Sequence, residues 1–183
     1  EKVREFIHAG KMSEIIFTCG ATDSLNLMVF GYFRQILKKG DEVLLTKSEH
    51  ASNILPWFEL EDELGIVVKY IDLDDDYKVT VSVKTKEGFE LESVKKAMTE
   101  RTKVISIAHI TNVVGDVRPI KEITKYAHEH GVYVACDGAQ SVAHMPVDVK
   151  EMDVDFFVFS AHKMCGPTGI GVLYGKEEYL NNM

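Results

Sequence analysis

Seven short runs rich in Val, Ile, Leu, Phe and Tyr recur along the chain, at residues 15–19, 42–46, 66–71, 103–107, 132–136, 156–159 and 171–174. Bounded by Gly, Asp or Ser, they read as β-strands. Helical spacing fills most of the gaps. Residues 22–37 carry Leu25, Met28, Val29, Phe33, Ile36 and Leu37, and residues 120–130 carry Ile120, Ile123, Tyr126 and Ala127 before a stop at Gly131. Residues 91–99 read as a third helix. Apolar strands alternating with helices require an α/β fold, a mostly parallel seven-stranded sheet with helices on both faces. The runs 156–159 and 171–174 are too close for a crossover helix, so the last strand is expected to be antiparallel. Residues 74–89 combine Asp74-Asp75-Asp76, an alternating stretch from Lys78 to Val83, and Lys86-Glu87-Gly88. They read as a solvent-exposed hairpin inserted between elements, with no functional role.

The chain of 183 residues is 45% hydrophobic and 27% charged, enough for one buried core and unlike disordered, collagenous or coiled-coil sequences. A net charge of −8 weighs against a nucleic-acid partner. There is no apolar run of about 18 residues, so no membrane span is expected. Cys19, Cys136 and Cys165 are odd in number and lack CxxC spacing, which argues against a disulfide framework or zinc site and for a cytoplasmic setting. The chain starts at Glu1 with no secretory signal, and reads as a piece of a longer protein.

Ligands of open parallel sheets bind beyond the carboxyl ends of the strands. After the first strand, Cys19-Gly20-Ala21-Thr22-Asp23-Ser24 opens a helix, where a phosphate would meet free N–H groups and the helix dipole. Ordinary N-capping by Thr22 or Ser24 is the alternative. His50 follows the second strand, as a catalytic or a structural histidine, and Asn112 follows the fourth, orienting a ligand or capping its loop. Asp137 ends the fifth. A buried carboxylate calls for a facing cation, unless it merely closes the turn at Gly138. Ser160, His162 and Lys163 follow the sixth. If the extended backbone continues, Ser160 and His162 point one way and Lys163 the other. A desolvated lysine is a nucleophile toward carbonyls, whereas a snorkelling one is inert. The glycines of 166–171 do not form a dinucleotide fingerprint. Together, a phosphate seat, a flat His50, a buried acid and a strand-end lysine meet the needs of pyridoxal phosphate.

The segments Asp137-Gly138-Ala139-Gln140-Ser141 and Ser160-Ala161-His162-Lys163, the latter continuing to Gly166-Pro167-Thr168-Gly169-Ile170-Gly171, resemble the class V aminotransferase family. Within it they resemble the SufS/CsdB (NifS-like) cysteine desulfurases. The resemblance extends to the stretch from Glu49-His50 to Pro56-Trp57 and to Thr111-Asn112-Val113-Val114-Gly115, and the insertion at 74–89 is its main departure. It implies the large domain of the fold type I pyridoxal-phosphate enzymes over residues 1–183, without the N-terminal segment and C-terminal small domain. Lys163 would carry pyridoxal 5'-phosphate as an imine and shuttle the substrate α-proton. Asp137 would pair with the ring nitrogen, Gln140 with the ring hydroxyl, and His50 would stack on the ring and assist proton transfer. Thr22, Ser160 and His162 would hold the phosphate with the Ala21–Thr22 backbone, and Asn112 would lie beside the ring. No metal is implied.

The implied activity converts L-cysteine, or selenocysteine, to alanine, leaving a persulfide that passes to a sulfur-acceptor protein for iron–sulfur assembly, in a cytoplasmic homodimer. The persulfide cysteine and the arginine for the substrate carboxylate would lie outside this chain, and Cys165 is expected to be structural. Other class V reactions, such as selenocysteine lyase, cysteine-sulfinate lyase, epimerase or kynureninase-like hydrolase, share these cofactor residues. A catalytically inert module is the alternative from outside enzymology.

Overall fold

The computed structural model describes residues 1–76, 78–79, 82–85 and 88–183. Its main sheet has seven strands: β1 (Ile15–Thr18), β2 (Glu42–Thr46), β3 (Val67–Ile71), β6 (Thr102–Ala108), β7 (Tyr133–Asp137), β8 (Phe156–Ser160) and β9 (Gly171–Gly175). Between β3 and β6 a separate hairpin pairs β4 (Ser82–Thr85) with β5 (Gly88–Glu90). The main sheet runs β1-β9-β8-β7-β6-β2-β3. Strand β9 is antiparallel to both of its neighbours, and the other pairings are parallel, as the short connection after β8 requires.

Alternate residues of the central strands enter two cores. Leu44, Ile105, Val134, Phe157 and Val172 point to one face, and Val43, Val104, Ala135, Phe156 and Leu173 to the other. Burial on both faces explains why these strands read as continuous apolar runs. The helices are α1 (Lys2–Phe6), α2 (Ala21–Met28), α3 (Arg34–Ile36), α4 (Ala51–Leu64), α5 (Glu92–Ala97), α6 (Ile120–Glu129), α7 (Ser141–His144), α8 (Val149–Met152) and α9 (Glu177–Leu180). Helix α6 buries Ile120, Ile123, Thr124 and Ala127, a stripe at helical spacing. Helix α4 buries Asn53, Pro56, Trp57 and Leu60 against the second face and ends at Gly65 in the left-handed region (φ 71°).

Three sequence expectations are corrected. The helix expected over 22–37 is broken by a π-helical turn at Val29–Phe33, where Tyr32 and Phe33 pack edge-on or tilted against Phe156 and Tyr133. Extended backbone stops at Ser160, because Ala161–Met164 forms a 3-10 turn closed by Cys165 in the left-handed region. The insertion at 74–89 does form a hairpin, but Leu73 bridges Val79, and Val79 is buried in the first core rather than exposed. Residues 77, 80, 81, 86 and 87 of that stretch lie outside the described residues.

Candidate active site

The carboxyl ends of β1, β2, β6, β7 and β8 share one edge of the sheet, and the candidate residues gather there. Gly20 leads from β1 into α2. Neither Thr22 nor Ser24 caps this helix: the Thr22 hydroxyl bonds Ser52 Oγ (2.8 Å) and the Ser24 hydroxyl bonds Thr18 Oγ1 (2.7 Å). Instead the Ala21 N–H donates to Ser160 Oγ (2.7 Å), stitching the first turn of α2 to the end of β8. Gly171 permits this approach, since a Cβ there would stand 2.4 Å from the Gly20 backbone. Ala21, Thr22, Ser160 and His162 line one cleft of about 500 Å³ with Thr168 and Gly169. The Asp23 carboxylate is turned back to the Cys19 N–H (2.9 Å).

His50 caps α4. Its Nδ1 accepts from the Ser52 N–H (3.1 Å), an arrangement that leaves the ring proton on Nε2. Ser52 Oγ lies 2.9 Å from the same nitrogen and 2.8 Å from Thr22 Oγ1, so one hydroxyl links the cleft to the imidazole. Ser52 is a site residue that sequence reasoning did not single out, although a serine two positions after a capping residue is a signal for it.

Asp137 ends β7 and is 7% exposed. Its Oδ1 accepts from the Ala139 N–H (2.9 Å), so one carboxylate oxygen takes part in the turn after β7. No ion pair reaches it among the described residues. Burial pushes its carboxyl above the usual carboxylate range and Glu49 adds to this, while the Ala139 N–H bond and then the nearby Lys163 and His50 side chains oppose it. Gln140 Nε2 donates to Asn112 Oδ1 (2.7 Å), joining the turn after β7 to the loop after β6. Lys163 is half-buried in the 3-10 turn after β8. Cys165 is exposed and serves as the left-handed residue that ends that turn. Cys136 is buried beside Asp137, and burial pushes its thiol well up, which removes it as a nucleophile.

Behind His50 lies a polar cluster absent from the sequence reading. Glu49 Oε1 meets Arg118 Nη1 and accepts from Thr46 Oγ1 (2.7 Å). Its Oε2 accepts from Asn53 Nδ2 (2.9 Å) and the Ala108 N–H (2.8 Å). Arg118 Nη2 donates to Thr46 Oγ1 (2.8 Å) and Ser48 Oγ (2.6 Å), and buried Ser106 donates to Asn53 Oδ1 (2.6 Å). Both charged side chains are fully buried.

The profile of the class V aminotransferases matches residues 1–183. The chain belongs to that family. Among the relatives of this class V chain, a probable cysteine desulfurase of Halalkalibacterium halodurans is 46% identical over 183 residues, all of this chain and 43% of the relative. The crystal structure of the cysteine desulfurase CsdA (S-sulfonic acid) from Escherichia coli superposes with a TM-score of 0.89 at 34% identity, over 100% of this chain and 43% of that one. The apo structure of cysteine desulfurase from Thermococcus onnurineus NA1 gives 0.86 at 37% identity, over 98% of this chain and 42% of that one. This class V chain therefore spans less than half the length of the relatives it matches.

The residues present suit a phosphorylated pyridine aldehyde. The cleft offers hydroxyls and a helix start for an anion. The buried Asp137 carboxylate has no ion-pair partner among the described residues, and a protonated ring nitrogen is a suitable one.

Proposed function

We propose that this chain is the pyridoxal-phosphate-binding large domain of a cysteine desulfurase. The observation that carries this reading is the buried Asp137 carboxylate, without an ion pair, standing in the field of Lys163 and His50 at the edge where the Ala21–Ser160 cleft opens. When bound, the cofactor supplies an aldehyde for a lysine amine and a ring that withdraws electrons from the substrate.

The chain's own residues divide the remaining work. Thr22, Ser160, His162 and the Ala21–Thr22 backbone hold the phosphate. Asp137 keeps the ring nitrogen protonated, and Gln140 donates to the ring hydroxyl from a side chain already fixed by Asn112. The His50 imidazole covers the ring face, fixed by Ser52. Lys163 would hold the cofactor through its amine, and Nζ would carry the substrate α-proton. Asn112 lies beside the substrate.

The same reading assigns to the parent protein a mobile persulfide cysteine and a carboxylate-binding arginine outside these 183 residues. The parent is a homodimer of SufS type in the cytoplasm that passes sulfur to an acceptor protein for iron–sulfur assembly. No described helix is long and apolar enough to cross a membrane. The intact protein, incubated with L-cysteine and a thiol reductant that releases the persulfide sulfur as sulfide, is expected to form alanine and sulfide in equal amounts, and the Lys163→Ala variant to form neither. Turnover of a different amino acid with no alanine from L-cysteine would move the protein to another class V reaction. No turnover of any amino acid would favour an inert module.

A further inference from the structure

The cluster around Glu49 and Arg118 has no part in the chemistry just proposed, yet it touches both walls of the proposed ring seat. Glu49 directly precedes His50, and its carboxylate also grips the side chain of Asn53 in the first turn of α4. The same carboxylate holds the N–H of Ala108, and Ala108 is the β6 residue paired with Asp137 of β7. Arg118 reaches Glu49 from the far side of the loop that contains Asn112, and also binds Thr46 and Ser48 of the segment leading to His50. A buried ion pair adds little net stability over an apolar pair of equal volume. Its placement here is better explained by what it orients.

We propose that Glu49 and Arg118 form a positioning pair for the cofactor seat: they fix the turn that carries His50, and they hold a neutralised negative charge against the strand position opposite Asp137. This rests on the assignment of His50 and Asp137 to a bound ring. The charged and titratable groups around Asp137 are Glu49 and His50 from the turn after β2, Lys163 from the turn after β8, Cys136 on its own strand, and buried His109 after β6, whose N–H bonds the Asp137 carbonyl. Glu49 opposes ionisation of Asp137, and Arg118 opposes Glu49.

The two partners therefore have opposite signs of effect, which separates this role from simple structural support. Glu49→Gln and Arg118→Met break the same ion pair. Structural support alone predicts similar damage from both. The positioning role predicts that the Asp137 carboxyl titrates at lower pH in Glu49→Gln and at higher pH in Arg118→Met. Each shift should be on the order of one pH unit, the size expected when one nearby charge is removed at an effective dielectric near 20.

The measurement is a carbon-13 NMR titration of the Asp137 carboxyl in the full chain without added cofactor, with Asp137→Asn identifying the signal. In the same samples, nitrogen-15 shifts of the His50 ring should report one tautomer in the parent and averaged tautomers in Arg118→Met. If Arg118→Met does not fold, the double variant Glu49→Gln/Arg118→Met, which buries no unpaired charge, replaces it. Fluorescence of buried Trp57 checks its fold, and its Asp137 midpoint should lie below the parent's. Unmoved midpoints, shifts of the same sign in the two single variants, or a double variant that titrates with the parent would overturn the role at Asp137. An unchanged His50 tautomer would overturn the role at His50. No cofactor is needed for these readings, so failure of pyridoxal phosphate to react with Lys163 would refute the proposed function and leave them standing.

Discussion

The Ala21 N–H donates to Ser160 Oγ over 2.7 Å, bonding the first turn of α2 to the last residue of β8 across 139 positions of sequence. That hydroxyl ties together two residues that line the cleft proposed for the phosphate. Ser160→Ala is expected to cost about 1 kcal/mol of stability. It should weaken pyridoxal-phosphate binding about tenfold, with both effects read from a thermal melt and a fluorescence titration. Unchanged affinity would remove Ser160 from the phosphate seat.

Gly138 and Gly171 are required by close approach. A Cβ on Gly138 would lie 1.9 Å from the Phe157 ring, whose residue is fully buried and has nowhere to retreat. Gly138→Ala is expected to destabilise the chain by about 3 kcal/mol or more, measured by urea unfolding. A loss under about 1 kcal/mol would mean that the turn after β7 relaxes freely.

Asp137 carries a cost that binding should repay. Its carboxyl is raised in the folded chain by burial, so the folded state holds a proton that the unfolded state has released. Stability from this group is therefore lost as pH rises from about 4, the unfolded value, toward the folded value. Asp137→Asn keeps the acceptor for the Ala139 N–H and removes the charge. Without cofactor it is expected to melt a few degrees above the parent at pH 8, with the difference shrinking at pH 4. A lower melting temperature at pH 8 would contradict the account of an uncompensated carboxylate.

His128 shifts in the same direction for the opposite reason, because the folded chain favours its charged form. Its hydrogen bond to buried Asp155 (2.9 Å) raises the imidazole above its ordinary value. A raised folded value gives stability that is present in full below about pH 6.5 and is lost as pH rises through the folded value. The stability difference between the parent and His128→Gln should be larger at pH 5.5 than at pH 9 in urea unfolding. An equal difference at both would leave the pair without charge coupling.

Much of this architecture is visible in the order of residues for simple reasons. Strands such as Phe156–Ser160 face two cores at once, so their burial is written as an uninterrupted apolar run. The antiparallel β9 follows from a connection too short to cross the sheet. The cleft residues were found because ligand groups of such sheets follow the strands, and Ala21, Thr22, Ser160 and His162 do meet.

What was missed depends on contacts between distant positions. Glu49 and Arg118 are 69 residues apart, and each alone looks like an ordinary solvated charge. Helix α4 carries Pro56, which disguises its period, and the π-helical turn at Val29–Phe33 answers to aromatic packing rather than to local propensity. The 3-10 turn at Ala161–Met164 cannot be told from continued strand by alternation, yet Ser160 and His162 still line one cleft and Lys163 does not, the grouping that alternation expects.

The central claim is that Lys163 is poised for an aldehyde held against Asp137. Its most direct test is the visible absorption spectrum after adding pyridoxal phosphate to the intact protein and to its Lys163→Ala variant, which should keep the parent's stability within about 0.5 kcal/mol. The expected result is a visible band in the parent that borohydride reduction fixes to a peptide containing Lys163, and no band in the variant. A band of equal strength in Lys163→Ala, or reduction fixing the cofactor to another lysine, would contradict the account.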